Sequence, residues 1–502
     1  MRTLLGIDIG TSSLKVMLLN IESGSMHVKR RKYSVSIPRE NCAEQDPAIW
    51  WDSLADICKE FRGDSDTREA FQAVEGISFS GQMHGLVCVD GNGDPIRPAI
   101  IWLDHRSARE LEQIHSNLTE TEIRKILHNR ICAGFAFPSL LWMKGNEPQN
   151  YQKICKVFQP KDYIRFRLTG KMGTDVTDAS ATGIYDVGKR EWAWDIIQRF
   201  GLDRSMFPEC HESGETAGYV TAECARLTGL REGIPVIYGC GDQMAQSIGN
   251  GVYKEGKLIS NIGTGGQVSA YSNHFVSDDK MRTSTFCHAA GRGYSVFGAT
   301  LNCGNSLNWL CDKILGMGTG RFGQCTRLAE EIMPGSEGIL YLPYLTGERT
   351  PIMNNEAKGV YFGLKLQHDK RHLIRATMEG IIYSLKDCLL VLQQLGIDSD
   401  QIIASGGGAG SELFLQLQAD IFEKEIKVCR VSEQACLGAC ILAGAGTGAF
   451  TLDEATQRYV DFDEKTIVPI QENIRIYRET FGRYHELYDN TKHLMEENHG
   501  HI

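Results

Sequence analysis

The sequence predicts a globular protein of two or three domains, in which one arrangement of strands and turns occurs twice along the chain. Its 502 residues are too many for a single hydrophobic core. Residues 4–19 and 258–271 each read as an apolar strand, a Gly-Thr turn and a second apolar strand. If this likeness reflects duplication, the two halves hold a nucleotide between them; a chance similarity of two hairpins is the alternative.

Composition restricts the classes of partner. The formal net charge of -10 disfavours a general nucleic-acid or anionic-membrane surface and favours small molecules. The N-terminus reaches Asp8 after only a few apolar residues, which is unlike a signal peptide. The stretch 435–450 is too short to span a membrane, contains four glycines and predicts a packed core helix. Sixteen cysteines without a CxxC pair predict reduced thiols and a cytoplasmic location.

The turn of the first hairpin, Gly10-Thr11-Ser12, offers backbone amides and hydroxyls that suit phosphate oxygens. Asp8 lies just before it and suits a hydrated Mg2+, an ion that takes few carboxylates and keeps many waters. The second turn, Gly263-Thr264-Gly265, repeats these groups. For either turn alone an ordinary hairpin is the competing interpretation, and the repetition favours phosphate binding.

Two polar segments between the hairpins suit a polyhydroxylated ligand. Gln82, Met83 and His84 lie between two apolar runs, where the amide and the imidazole would hydrogen-bond hydroxyls and the thioether would pack on carbon. Trp102 ends another apolar run and offers an aromatic face for a sugar. A structural histidine and a tryptophan buried in the core are the alternatives.

Asp242 is the predicted centre of the chemistry. It follows the β-prone run 235–238 and two glycines, and it opens a segment with helical spacing. With an ordinary aspartate pKa of about 3.9, its carboxylate is ionised at neutral pH and needs no tuning to accept a proton from a substrate hydroxyl. The alternative is that Asp242 only caps the helix, a position that aspartate also favours.

Two further segments of the second half bring glycine to the junction of a strand and a helix. Residues 298–310 contain Gly304, and residues 402–411 contain Gly407 and Gly408. In residues 402–411, a backbone without Cβ atoms allows a flat ligand such as adenine to approach closely. A flexible turn is the alternative.

Taken together, these segments resemble the FGGY carbohydrate kinases, in the family's order and over nearly the whole chain. The most specific piece comprises residues 359–364 and 372–380, which are similar to the family's C-terminal signature. The segments Gln-Met-His-Gly at 82–85, Pro-Lys-Asp-Tyr at 160–163 and Gly-Glu-Arg-Thr-Pro at 347–351 are most similar to members that phosphorylate D-xylulose.

The resemblance implies a fold and a reaction. The fold is α/β, the two-lobed actin-like or ribonuclease H-like sugar-kinase fold with a cleft between the lobes. Residues 1–246 form the sugar-binding lobe with the catalytic base, and residues 247–502 form the nucleotide-binding lobe. The reaction is transfer of a phosphoryl group from ATP, with Mg2+, to the terminal hydroxyl of a ketopentose such as D-xylulose. The partners are the sugar and ATP, and a homodimer is expected from the resemblance alone.

The resemblance also implies roles for single residues. Asp242 is the general base, and Asp8 lies near the metal and the phosphates. The expected sugar contacts are Met83, His84, Trp102 and Gln243. The expected nucleotide contacts are Gly10, Thr11, Ser12, Thr264, Gly265, Gly304, Gly407 and Gly408.

Two positions depart from the family pattern. Gln243 follows the base where members acting on xylulose carry Asn, so ribulose, glycerol, erythritol and gluconate are alternative acceptors. Ser139 stands where Lys is usual, and we expect this difference to affect the packing of the lobe.

A non-catalytic sugar or nucleotide sensor is an alternative of another class, and the intact base site argues against it. An actin- or chaperone-type ATPase is a third, and it leaves the Gln-Met-His segment unexplained.

Overall fold

The two halves of the chain each build a large β-sheet. The computed structural model describes residues 1–318 and 320–496. The strands are β1 (Thr3–Ile9), β2 (Ser13–Asn20), β3 (Met26–Lys32), β4 (Glu44–Gln45), β5 (Val74–Gly81), β6 (Val87–Val89), β7 (Ala99–Ile100), β8 (Lys156–Phe158), β9 (Thr174–Asp175), β10 (Tyr185–Asp186), β11 (Glu191–Trp192), β12 (Cys210–His211), β13 (Thr216–Tyr219), β14 (Pro235–Ile237), β15 (Cys240–Gly241), β16 (Leu258–Ile262), β17 (Gly266–Ser272), β18 (Ser284–Cys287), β19 (Tyr294–Thr300), β20 (Leu340–Leu342), β21 (Val360–Phe362), β22 (Gln401–Gly406) and β23 (Glu425–Val428).

Helices cover the sheets and fill the space between them. They are α1 (Pro47–Gly63), α2 (Arg68–Gln72), α3 (Ala108–Asn117), α4 (Glu120–Glu122), α5 (Ala136–Asn146), α6 (Pro148–Tyr151), α7 (Pro160–Thr169), α8 (Val176–Ser180), α9 (Trp194–Arg199), α10 (Ala222–Thr228), α11 (Asp242–Gly249), α12 (Gly304–Trp309), α13 (Phe322–Glu330), α14 (Lys370–Gln394), α15 (Glu412–Phe422), α16 (Gln434–Gly446), α17 (Leu452–Tyr459) and α18 (Gln471–Glu496). None of these helices combines the length and apolarity that a membrane crossing requires.

Both large sheets follow one plan. In the first half, the order β3-β2-β1-β5-β14 places three antiparallel strands beside two parallel ones. In the second half, β19-β17-β16-β22-β23 repeats that order and those directions. The two Gly-Thr turns therefore connect equivalent hairpins, β1–β2 and β16–β17, and the prediction of a duplicated architecture is confirmed.

Helices α11 and α16 form a layer between the two sheets. One apolar cluster joins Leu4 of β1, Ala245 of α11, Leu437 of α16 and Ile259 of β16. The helices lie so close that a Cβ on Gly438 would be 1.9 Å from the carbonyl oxygen of Ala245. Only glycine allows this approach. The small-residue stretch predicted to be a packed core helix is therefore the helix that packs the second half against the first.

Candidate active site

Asp242 lies at a strand-to-helix junction, as predicted. The short strand β15 pairs with the end of β5, and Asp242 is the first residue of α11. Gly241 occupies the N-cap position, so Asp242 is not the N-cap residue, although its carboxyl accepts from first-turn N–H groups as the capping alternative expects. Gly239 has a φ of +76°, and a Cβ on Gly241 would lie 2.6 Å from Cγ of Met83. The backbone before Asp242 therefore needs glycine at both positions.

The Asp242 carboxyl has an altered protonation equilibrium. Burial in the first place, and repulsion from Asp8 in the second, raise the pKa of Asp242 from 3.8 to about 7. The N–H groups at the start of α11 oppose this shift without cancelling it. The expectation that the base needs no tuning is therefore wrong. A general base is most effective when its pKa lies near the operating pH, so the raised pKa suits proton transfer.

Asp8 lies at the end of β1, just before the first Gly-Thr turn. Its Oδ1 accepts a hydrogen bond of 2.7 Å from Ser80 Oγ. Its Oδ2 lies 3.9 Å from Lys15 Nζ, whereas that ammonium lies only 2.6 Å from Glu433. Burial raises the pKa of Asp8. Asp8 and Asp242 thus form a pair of carboxyls whose charge is poorly compensated, and such a pair fits a divalent cation.

Thr11, in the Gly10-Thr11-Ser12 turn, is held by side chains from three other segments. Thr11 Oγ1 accepts from Trp102 Nε1 at 2.9 Å and donates to Gln82 Oε1 at 3.2 Å. Gln45 Nε2 donates to the Thr11 carbonyl at 2.7 Å, and Gln45 Oε1 accepts from Gln82 Nε2 at 2.8 Å. Trp102 is 45% exposed, so the alternative of a core tryptophan is wrong. The tryptophan predicted to contact the sugar and the turn predicted to bind phosphate therefore belong to one hydrogen-bond network.

His84 is held in a single orientation. Its φ is +72°, a region that residues other than glycine rarely adopt. Its Nδ1 lies 2.7 Å from the carbonyl oxygen of Ala181, and its ring stacks on Phe135 with centroids 4.2 Å apart. Burial lowers the pKa of His84 to about 4, so the ring is neutral. A neutral ring that donates from Nδ1 carries a lone pair on Nε2, which suits a hydrogen bond from a hydroxyl.

Gln243 connects α11 to the second sheet. Its Nε2 donates to Oε1 of Gln267 on β17 at 3.1 Å. Its own Oε1 is buried and has no partner among the described residues. One turn further along α11, Gln246 Nε2 donates to Ser405 Oγ at 3.3 Å. Because an unpaired buried carbonyl is costly, the free Oε1 of Gln243 is a candidate acceptor for a ligand hydroxyl.

The second Gly-Thr turn is joined to the start of α12. Thr264 O accepts from Cys303 N at 3.0 Å, and Gly304 N donates to Gly263 O at 2.9 Å. A Cβ on Gly304 would lie 2.5 Å from Gly263 O, and one on Gly265 would lie 2.6 Å from another backbone oxygen. The two segments are therefore packed backbone to backbone, which requires glycine at both positions.

The glycine run after β22 adjoins the same turn. Gly406 pairs with Ile262 across the parallel strands, and it has a φ of +74°. A Cβ on Gly408 would lie 2.7 Å from Cβ of Ile262, and Gly407 is exposed beside it. The structure thus brings the three predicted nucleotide-binding segments of the second half together at the ends of β16 and β22.

Four residues of this site were assigned no role from the sequence: Gln45, Ser80, Phe135 and Gln267. Ser80 and Gln267 lie on strands next to predicted residues, so the alternation of side chains along a strand is a signal that points to them. Gln45 and Phe135 lie on β4 and just before α5. Their place in the site depends on long-range packing, and no local pattern indicates it.

A cavity of about 380 Å³ between α14 and α18 is lined by none of the predicted site residues.

Both halves of the chain match the models of one protein family. The N-terminal domain of the FGGY family of carbohydrate kinases matches residues 3–249, and the C-terminal domain of that family matches residues 258–447.

Single relatives match nearly the whole chain. A xylulose kinase from Lactococcus lactis subsp. lactis (strain IL1403) is 34% identical over 500 residues, which cover 99% of this chain and 98% of that protein. A gluconokinase from Bacillus subtilis (strain 168) is 29% identical over 486 residues, which cover 95% and 93%. The crystal structure of a xyloylose kinase from Brucella ovis is 32% identical, superposes with a TM-score of 0.92 and is matched over 98% of this chain and 100% of its own. The predicted two-lobed α/β fold is thereby confirmed.

Proposed function

Since the chain belongs to the FGGY family of carbohydrate kinases, we propose that it phosphorylates the terminal hydroxyl of a ketopentose, with D-xylulose as the first candidate. One observation carries the proposal. Asp242, a base with a raised pKa, and Gln243, whose buried side-chain Oε1 has no partner among the described residues, are neighbours at the start of α11. Relatives named xylulose kinase, matched over nearly the full length, support the choice of sugar.

On the sugar side, the proposed contacts are acceptors for hydroxyl groups. His84 Nε2 and Gln243 Oε1 accept hydrogen bonds from the sugar, and Met83 and Trp102 pack on its carbon skeleton. Asp242 then accepts the proton of the terminal hydroxyl as the oxygen attacks phosphorus. Fixed orientation matters here because phosphoryl transfer needs an in-line hydroxyl more than covalent help.

On the phosphate side, the proposed contacts are backbone amides and glycines. The turns 10–12 and 263–265 donate to the phosphates of ATP, and Gly304, Gly407 and Gly408 lie against the nucleoside. The metal in the proposal is Mg2+, which Asp8 would hold and which would neutralise phosphate charge. The poorly compensated charge of Asp8 and Asp242 supports this assignment.

The remaining parts of the proposal concern organisation. Residues 1–246 would act as the sugar-binding lobe and residues 247–502 as the nucleotide-binding lobe. The cysteines of the described residues are all free thiols, which supports a cytoplasmic location. A homodimer is proposed from the family alone, and size-exclusion chromatography with light scattering would test it.

A second acceptor class deserves a direct comparison. Gln243 differs from the Asn of members that act on xylulose, and one relative over almost the whole chain is a gluconokinase. A coupled ADP-release assay with Mg-ATP would compare D-xylulose, D-ribulose, L-ribulose, L-xylulose, glycerol, erythritol and gluconate. Preference for D-xylulose supports the proposal, preference for another acceptor changes the substrate, and no turnover with any of them favours a sensor.

The assigned base has its own test. Asp242→Asn should lower turnover about 10²- to 10⁴-fold, as expected for loss of a general base, while sugar binding measured by calorimetry is retained. Asp195→Asn, the same change at an exposed position in the first turn of α9, is the matched control and should keep full activity. Full turnover by Asp242→Asn would show that another group takes the proton.

A further inference from the structure

A buried lysine lies behind the active site. Lys161 is fully buried, and its Nζ lies 2.8 Å from Asp162 Oδ1, 2.8 Å from Asp175 Oδ1 and 3.1 Å from Asp178 Oδ2. The three carboxyls are spaced like a metal-binding group, but the ammonium occupies the position between them. Burial alone would lower the pKa of Lys161; the three carboxyls outweigh it and hold that pKa well above its usual range. Lys161 is therefore the charged centre of a salt-bridge network.

The network contains a second cation. Arg165 Nε lies 3.8 Å from Asp162 Oδ1. Burial raises the pKa of Asp178 well above its usual range, and the Lys161 ammonium opposes that shift. Removing one member of a buried ionic network leaves an unpaired charge and is strongly destabilising. A test of what the network does must therefore change a neutral group at its edge.

One edge of the network reaches the backbone of the proposed base. Asp175 caps α8, and its Oδ2 accepts from Thr177 N at 2.9 Å and from Thr177 Oγ1 at 2.7 Å. Thr177 Oγ1 in turn accepts from the backbone N–H of Gly241 at 2.9 Å. Gly241 directly precedes Asp242. A continuous series of polar contacts thus runs from Lys161 to the start of α11.

The other end of α8 reaches the proposed sugar contact. The carbonyl of Ala181, the residue that follows α8, lies 2.7 Å from His84 Nδ1. Ser180 Oγ accepts from the backbone N–H of Cys287 on β18 at 3.2 Å. A five-residue helix is only about 7.5 Å long, so one rigid piece contacts both the backbone beside Asp242 and the ring of His84.

We infer that α8, anchored by Lys161, positions the base and the sugar-binding histidine relative to each other, and that Thr177 is its contact with the base. Thr177 and Lys161 are positioning residues and touch no substrate. The inference rests on the proposed roles of Asp242 and His84. Small misplacements of reacting groups cost large factors in rate, which is a physical reason for a buried polar support behind a site that must stay fixed.

Thr177→Val tests the inference because it removes the hydroxyl and keeps the branched shape. We expect kcat to fall about 10- to 100-fold. KM for ATP should be unchanged, since no hydrogen bond or ion pair within the described ranges joins the network to the nucleotide segments. Thr177→Ser retains Oγ and should restore kcat to near the wild-type value. Thr177→Val places a methyl group beside Gly241 where the hydroxyl was, and Thr177→Ala does not. Thr177→Ala should nevertheless show the same loss of kcat.

The matched control lies in the same network. Thr174, also buried, donates from Oγ1 to Asp162 Oδ2 at 2.7 Å and makes no side-chain hydrogen bond to α8 or to Gly241. Thr174→Val should lower the melting temperature by about as much as Thr177→Val but leave kcat within about twofold of the wild-type value. The two variants should therefore differ in kcat, because only Thr177 positions the base.

Each outcome decides the inference. Wild-type kcat in Thr177→Val or Thr177→Ala overturns it. Equal kinetic losses in the Thr174 and Thr177 variants also overturn it, because they would reflect general loosening. Should Thr177→Val fail to fold, the Thr177→Ala and Thr177→Ser pair decides alone. Activity retained by Asp242→Asn would instead overturn the assigned base, so failure of the proposed function and failure of this inference are distinguishable.

Discussion

Replacing Asp242 with Asn should stabilise the folded protein even as it removes turnover. The pKa of Asp242 is raised from 3.8 to about 7 by burial and by Asp8. A raised carboxyl pKa means that the folded state holds this proton more tightly than the unfolded state. Ionised Asp242 therefore opposes folding, and Asn, which has nearly the same shape and no charge, does not.

The magnitude follows from the size of the shift. About three pKa units, at about 1.4 kcal/mol per unit, correspond to an upper bound of about 4 kcal/mol. Asp242 keeps part of its surface accessible to solvent, so about 2 kcal/mol is a better expectation. The destabilisation is absent below about pH 4, grows between about pH 4 and pH 7 and is constant at higher pH.

Thermal unfolding of both proteins at pH 8 and pH 5 measures this effect. At roughly 2–4 °C per kcal/mol for domains of this size, the variant should unfold about 4 °C or more above the wild type at pH 8. The difference should shrink at pH 5, where wild-type Asp242 is protonated in the folded state. Asp195→Asn should show no such pH-dependent gain. An Asp242→Asn protein that unfolds at or below the wild-type temperature at pH 8 would refute the reasoning.

Three further outcomes are expected. Below an apparent pKa near 7, kcat/KM for the sugar should fall about tenfold per pH unit, because only ionised Asp242 accepts the proton; a profile flat to pH 5 would contradict the raised pKa. Gly304→Ala should raise KM for ATP, since its Cβ would lie 2.5 Å from Gly263 O, whereas Gly482→Ala on α18 meets no atom within 4 Å and should not. Gln243→Asn should change the ranking of sugars, because the shorter amide loses its hydrogen bond across the site; unchanged kcat/KM ratios would exclude Gln243 from sugar contact.

Elements with a short-range signal were predictable from the chain alone. The two hairpins follow from apolar runs around a Gly-Thr turn, and the junction at Asp242 follows from a β-prone run, two glycines and a helical pattern. The same holds for α16, whose small residues predict close packing. In each case the physical cause lies within about ten neighbouring residues, where backbone preference and side-chain period are visible.

Residues without such a signal enter the site only through the fold. Gln45 and Phe135 reach the predicted turn and His84 from distant segments. The Thr177 hydroxyl accepts the N–H of Gly241, 64 residues further along the chain. These contacts join segments that are far apart in the sequence. The local pattern of residues along a strand or helix does not indicate such contacts.

The reaction class, the duplicated plan and the proposed base were predictable from the chain, because these predictions depend on residue types and on their order. The pKa of the proposed base depends instead on packing. Burial and the charge of Asp8 raise the pKa of Asp242 to about 7, and both are properties of the packed molecule, since the unfolded chain leaves each carboxyl in water at its ordinary pKa.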